Sequence, residues 1–396
     1  MTSLSILVGQ LFAQYTLTDN FEKELSNEQR KATDTGISQN ERIIMSQKQK
    51  IQTIGHEQMM NAERLRQHLF TGPRVPFWDY DPAKLTVGIE VEYFIAHVDG
   101  HSFRLATKNE YFQVITHLKN DFGYKDYQLV DQPGRVSLDT EHGFVAIKPD
   151  FAWHILEISL PPRSSLDSLR LLLTRVFSQV DRALAKVGLE RLDISCLDHI
   201  PENIELVELD RLGQISKTFK PQSFDHPTQN PNFPAFIAAT HVHLNASSED
   251  MLVHMPKLYQ IDHVISTMFT RTRSFCGRSY QNARTDMYRD TLGEDYLLHT
   301  YPKKIAEDLQ TLADLMNQSP KLFPEDRFFP VRDMSYIRPT RYGTLEFRSC
   351  CSYKNQDVIL DIVKWRCAQL IAGTATKDAG TAGERSLLPK LVIGAS

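Results

Sequence analysis

The sequence has no long apolar run, no Cys-x-x-Cys and no surplus of positive charge. A bilayer-spanning helix needs about 20 consecutive apolar residues, so no transmembrane segment is expected. The net charge of −4 removes any bulk electrostatic case for nucleic acid or an anionic membrane. The cysteines (Cys196, Cys276, Cys350, Cys351 and Cys367) are odd in number and scattered. That argues against a disulfide framework or a thiolate zinc site, and it predicts a reducing, cytoplasmic setting. A phosphate-binding loop of the type G-x-x-x-x-G-K-[ST], a kinase signature set and a G-x-S-x-G elbow are all missing. The stretch Leu4 to Ala13 has a short apolar core but neither a basic flank nor a small-x-small cleavage site. It is read as a packed helix rather than a secretory signal.

What is present is ordinary globular composition over 396 residues, enough for one large domain or two smaller ones. Residues 1–75 are rich in Gln, Glu, Lys, Asn and Met and lack the aromatic and β-branched clusters of a sheet. Apolar spacing predicts helices around Phe21–Lys31 and over Asn40–Phe70, a helical extension that packs on the main domain or serves a partner or second copy. Pro73 and Pro76 close it. A main domain is expected over 76–372 and a flexible tail over 373–396. Within the main domain, periodicity predicts helices over Lys108–Asn120, Leu166–Val187, Glu249–Met268 and Asn355–Leu370. Ser164 or Ser165 is the expected cap of the second. A hairpin is expected at Val136–Leu138 and Gly143–Ile147, and a long polar loop over Gln222–Pro234.

Four strands carry the informative residues. In Leu85–Ile95 the alternation puts Ile89, Val91, Tyr93 and Ile95 on one face and Gly88, Glu90, Glu92 and Phe94 on the other. Two neighbouring carboxylates repel, and burying them demands compensation, most simply a divalent cation. The other reading is a solvated outer face. In Ile155–Leu160 a lone Glu157 stands among apolar residues. In Ala238–Ala246, His241, His243 and Asn245 share the polar face, a pattern that suits metal or phosphate as well as a structural role. In Arg338–Cys350, Thr344, Glu346 and Arg348 share a face, either as a surface pair or as a metal ligand beside a phosphate clamp. An arginine-rich run, residues 271–290, contains Arg278, Arg284 and Arg289, candidates for holding an anionic substrate, with a solvated loop as the alternative. Carboxylates, imidazoles and arginine together are the residue types of a multi-metal phosphate site.

The ordered motifs Gly88-Ile89-Glu90-Val91-Glu92, Asp150…Glu157-Ile158, Thr240-His241-Val242-His243 and Thr344-Leu345-Glu346-Phe347-Arg348 resemble those of the bacterial and plant-type glutamate–cysteine ligases and YbdK-like carboxylate–amine ligases. These belong to the glutamine synthetase-like superfamily. The resemblance spans about residues 85–370. It implies an α+β fold: a curved antiparallel sheet forming an open funnel, with helices on the outer face. It also implies ATP with two or three Mg²⁺ (or Mn²⁺). Glu90, His241 and Glu346 would share one metal, and Glu92, Asp150 and Glu157 another. His243 and Arg341 would bind the nucleotide, and Arg348 the transferring phosphoryl group. Glu346 and Arg348 would be the catalytic pair. The implied reaction is amide formation through an acyl phosphate, with glutamate and cysteine as leading substrates and another amino acid, a small amine or a protein side chain as alternatives. A phosphotransferase on the same scaffold, or a binding protein working through residues 1–75, are the competing readings. Where the family has a Ser-Pro-Phe-Trp block, this chain has Ser274-Phe275-Cys276-Gly277 and the arginine run.

Overall fold

The computed structural model describes residues 62–69, 85–100, 102–127, 134–141, 143–207, 232–245, 249–271, 273–282, 286–287, 308–318, 336–340 and 343–374, all within the compact unit Met60–Ser396. The helices expected before residue 62, most of the loop over Gln222–Pro234, and the tail beyond 374 lie outside the described residues, as do Arg284, Arg289 and Arg341.

In chain order, α1 (Ala62–Leu69) precedes β1 (Val87–Asp99), β2 (Ser102–Leu105), α2 (Lys108–Phe122), β3 (Lys125–Asp126), β4 (Val136–Thr140), β5 (Gly143–Pro149) and β6 (Ile155–Arg163). Then come α3 (Leu166–Lys186), β7 (Glu190–Arg191), β8 (Ala239–Leu244), α4 (Met255–Met268), β9 (Arg273–Phe275), β10 (Arg278–Tyr280), α5 (Leu309–Gln318), β11 (Ile337–Pro339), β12 (Leu345–Cys351) and α6 (Gln356–Thr374). The class is α+β. Among the described residues ten strands form one antiparallel sheet in the order β11-β12-β8-β1-β6-β5-β4-β3, with β2 and β7 also on β1. The sheet does not close into a barrel, and β9 and β10 make a separate hairpin. Among the described residues no helix is long and apolar enough to cross a membrane.

One face of the sheet carries the main core. Ile89, Val91, Tyr93 and Ile95 of β1 pack with Tyr111 and Val114 of α2, Leu173 and Val176 of α3, Leu258 and Ile265 of α4, and Ile359 and Val363 of α6. The helices start where the sequence provides oxygen acceptors. Thr107 and Glu110 form a reciprocal capping box at α2, whose C-terminus ends on Gly123 in the left-handed conformation. Ser165 is the cap of α3.

Two expectations change. The helix expected over Glu249–Met268 is a 3₁₀ turn over Glu249–His254 followed by α4, because Pro256 has no N–H to give and fits only a first helical turn. Phe94 does not join a polar face. It packs with Phe151, Phe233, Phe236 and Phe275 in a second core, on the side of β1 away from the helices. Alternation fixes which residues share a face but not what covers that face.

Behind the sheet lies a fully buried polar cluster. Arg366 Nη1 donates to Asp262 Oδ1 at 2.5 Å, and Nη2 donates to Ser349 Oγ at 2.7 Å and to Cys350 Sγ at 3.0 Å. Ser349 and Cys350 are neighbours, yet both turn to the helices, because the pairing of β12 with β8 shifts by one residue between Phe347 and Cys350. That shift is a β-bulge, which turns successive side chains to one side. Removing one partner of a buried ion pair leaves the other charge uncompensated. Arg366→Met should therefore cost about 3–5 kcal/mol in urea unfolding, and the double variant Asp262→Leu/Arg366→Met should recover most of it.

Candidate active site

Directly opposed residues in an antiparallel pair project to the same face, so the register states which side chains meet. Glu90 stands opposite His241 on β8 and Ser159 on β6, and Glu92 opposite Glu157. Glu346 on β12 stands opposite His243 on one side and Arg338 of β11 on the other. Lys148 of β5 stands opposite Glu157. Six adjacent strands, from β11 at the edge to β5, thus deliver carboxylates, imidazoles and cations to the face away from the helices.

His241 Nδ1 lies 3.6 Å from Glu90 Oε2 and 3.6 Å from Glu346 Oε1, while its Nε2 lies 3.7 Å from Glu92 Oε1. His243 Nε2 lies 3.8 Å from Glu90 Oε1. These gaps are too long for hydrogen bonds. They suit ligands of one ion, because ligands held at about 2.0–2.2 Å from a shared cation sit about 3–4 Å apart. Glu90, His243 and Glu346 each offer a ligand atom within 4.8 Å of the others. Thr344 Oγ1 engages His243 Nδ1 at 3.1 Å, which leaves Nε2 facing Glu90. That Nε2 is buried and has no hydrogen-bond partner. An orphaned imidazole nitrogen among carboxylates is the arrangement a hard divalent cation would complete, so the residues fit Mg²⁺ or Mn²⁺.

Glu346 is fixed by Arg338, whose Nε donates to Oε2 at 2.6 Å and Nη2 to Oε1 at 3.0 Å. Arg348 Nε lies 3.4 Å from the same Oε1. Burial works to raise the Glu346 carboxyl, but Arg338, then Arg348 and the two histidines, hold it well below the usual carboxylate range. Glu90 behaves alike: burial raises it, and the adjacent imidazoles of His241 and His243 pull it down further. Its side chain is 31% exposed, so solvent screens part of that effect. Burial disfavours charge on His243, yet Glu346 and Glu90 raise its pKa overall.

The other half of the face differs. Glu92 Oε2 accepts the Ala239 N–H at 2.8 Å. Glu157 Oε2 meets Lys148 Nζ at 2.8 Å and its Oε1 accepts from Ser159 Oγ at 2.9 Å. Burial pushes Glu157 up to about 7 despite Lys148, helped by the charges of Glu90 and Asp150. Burial works to lower Lys148, but Glu157, Glu90 and Asp150 raise it. Asp150 is half-buried just past β5, its N–H bonded to Ile155 O. It acts on this half through its charge.

The structure thus brings Glu90, Glu92, Glu157, His241, His243, Glu346 and Arg348 to one face, with Asp150 at its margin. The group closest to metal-holding geometry contains His243, where the resemblance pointed to His241. Arg278 is exposed on β10, in the separate hairpin, its guanidinium over the Tyr280 ring. Sequence reasoning missed Arg338 and Lys148. Arg338 opens the same stretch as Glu346 and shares its strand parity once the turn at Gly343 is drawn. Lys148 is a lone ammonium in the otherwise apolar run Phe144–Pro149.

Arg338→Met should weaken Mn²⁺ binding about 10–100-fold, the usual effect of losing a residue that orients a ligand, as measured by electron paramagnetic resonance. A second expectation concerns pH. Glu157 titrates higher in the folded chain than its ordinary 4.5. Its contribution to stability is therefore complete below that value and is lost as pH rises through about 7. With chelator present, the urea midpoint of Glu157→Gln should gain on that of the unsubstituted protein from pH 4.5 to 7 and level off above.

No family model matches this sequence, and no curated protein matches it. Solved structures do show a distant likeness. One is the complex between prokaryotic ubiquitin-like protein Pup and its ligase PafA, at 10% identity and a TM-score of 0.37, covering 74% of this chain and 46% of that one. Another is a bifunctional glutathione synthetase from Pasteurella multocida, at 14% identity and a TM-score of 0.39, covering 74% of this chain and 40% of that one. The chain spans less than half the length of either neighbour.

Proposed function

We propose that this chain is an ATP- and Mg²⁺-dependent carboxylate–amine ligase that forms an amide through an acyl phosphate. The observation that carries the reading is the Glu90, His243 and Glu346 group, with Arg338 and Arg348 behind it, on one face of an antiparallel sheet. The order of the motifs along the chain supports it as well. In this reading the sheet is the wall of an open funnel, residues 76–372 are the catalytic domain, 1–75 are a helical extension serving a second copy or a protein partner, and 373–396 are a tail. The setting is cytoplasmic.

The divalent ion supplies charge neutralisation at the nucleotide's phosphates. Glu90, His243 and Glu346 would hold it, with His241 against both carboxylates. Arg338 keeps Glu346 ionised and fixes its rotamer. Arg348 faces the transferring phosphoryl group and offsets charge on its oxygens. A carboxylate oxygen of the substrate attacks the γ-phosphorus as the bond to ADP breaks. The amine nitrogen then attacks the acyl carbon, phosphate leaves, and the amine proton passes to solvent. Positioning and charge offset account for most of the work the side chains do. Glutamate is the leading acid and cysteine the leading amine. Arg278, with Arg284 and Arg289 of the same run, is the proposed holder of the acid's free carboxylate, and Arg341 a nucleotide contact.

The test is ADP release with a panel of acid and amine pairs, with mass spectrometry of the product. An amide product with stoichiometric ADP is expected. A stable phosphorylated product without an amide would favour a phosphotransferase instead. Glu346→Gln should abolish ADP release, and Arg348→Ala should lower kcat by about 10²–10³. Unchanged turnover in both variants would refute the assignment.

A further inference from the structure

The two halves of the carboxylate face are satisfied in different ways. In the Glu90 half, a buried imidazole nitrogen, His243 Nε2, is left without a hydrogen-bond partner. In the Glu157 half, donors already reach the acids. Lys148 Nζ stands 2.8 Å from Glu157 Oε2, Ser159 Oγ donates to Oε1 at 2.9 Å, and the Ala239 N–H donates to Glu92 Oε2 at 2.8 Å. Lys148 is not a loop residue that swings in. It belongs to β5, and its register places it opposite Glu157 on the same face. Its side chain is 22% exposed and that of Glu157 only 4%, so the pair is largely shielded from solvent. Among the described residues, Glu90, His243 and Glu346 form a group of metal-holding size, whereas Glu92, Asp150 and Glu157 form none.

We propose that Lys148 is a resident cation for Glu157, so that the protein alone holds a single divalent ion, at Glu90, His243 and Glu346. This deepens the ligase reading and rests on its cation site. A lysine ammonium is a compact point charge with three donors, which lets it stand where an ion would otherwise sit. A divalent ion drawn to the same Glu157 oxygen would meet its repulsion at close range. The asymmetry gives the site a direction. The ion-holding end lies toward β12 and Arg348, and the lysine-held end toward β5.

The experiment is Mn²⁺ titration of the full chain without nucleotide, followed by electron paramagnetic resonance. One Mn²⁺ per chain is expected for the unsubstituted protein and for Lys148→Arg, and two for Lys148→Met. Two in the unsubstituted protein, or still one in Lys148→Met, would overturn the proposal. Should Lys148→Met not fold, Glu157→Gln decides the matter. Its Mn²⁺ affinity is expected to stay near that of the unsubstituted protein, whereas a fall of about tenfold or more would make Glu157 a ligand and overturn the proposal. Absence of any bound Mn²⁺ in the unsubstituted protein would remove the cation site itself, and this proposal with it, an outcome distinct from a count of two.

Discussion

Placing several carboxylates on one covered face of a sheet is the constraint to which the rest of the chain answers. A buried carboxylate needs donors or cations close by, and the cost of omitting them exceeds what a typical single contact contributes. Here Glu346 has a forked arginine, Glu157 an ammonium, Glu92 a backbone N–H, and Glu90 two imidazoles. Each partner arrives from a neighbouring strand, directly across the ladder or nearly so. The sheet is thus a device for setting charges of opposite sign a few ångströms apart with almost no side-chain freedom left.

That arrangement divides the labour between the two faces. The helix side is dense and apolar, with Tyr93, Tyr111, Leu173 and Ile359 fully buried, and it fixes the strands in register. The other side spends that rigidity on geometry. Small errors of register would be fatal to the site, because a one-residue slip sends every carboxylate into the apolar layer. The strong apolar alternation of β1 guards against this slip, since Ile89, Val91, Tyr93 and Ile95 would all have to leave the core together.

Much of this was legible from residue order alone. Period-two alternation with Glu, His or Arg on the same phase identified β1, β6, β8 and β12, and helical spacing located α2, α3 and α6. Three things were not legible. Strand neighbours are a property of the folded sheet, so the pairings of Lys148 with Glu157 and Arg338 with Glu346 could not be read from spacing. What covers a face depends on distant chain, so Phe94 looked like a member of a polar row until residues 233–238 were laid over it. Apolar spacing reads Glu249–Met268 as one helix without regard to Pro256, whose missing N–H confines it to the first turn of α4.

The bulge in β12 has a consequence for reading this strand at all. Before Arg348 the odd-numbered residues belong to the interior; after it the phase is reversed, and Ser349 and Cys350 enter the interior together. Anyone extrapolating plain alternation from Leu345 would place Cys350 among the charges and Cys351 under the helices. Shortening the strand by a single residue at that spot would make the plain pattern true. It would also take away one of the two groups, Ser349 Oγ or Cys350 Sγ, that Arg366 Nη2 reaches, while the register on either side stayed as it is. In this strand the number of residues is as much an instruction as their identity.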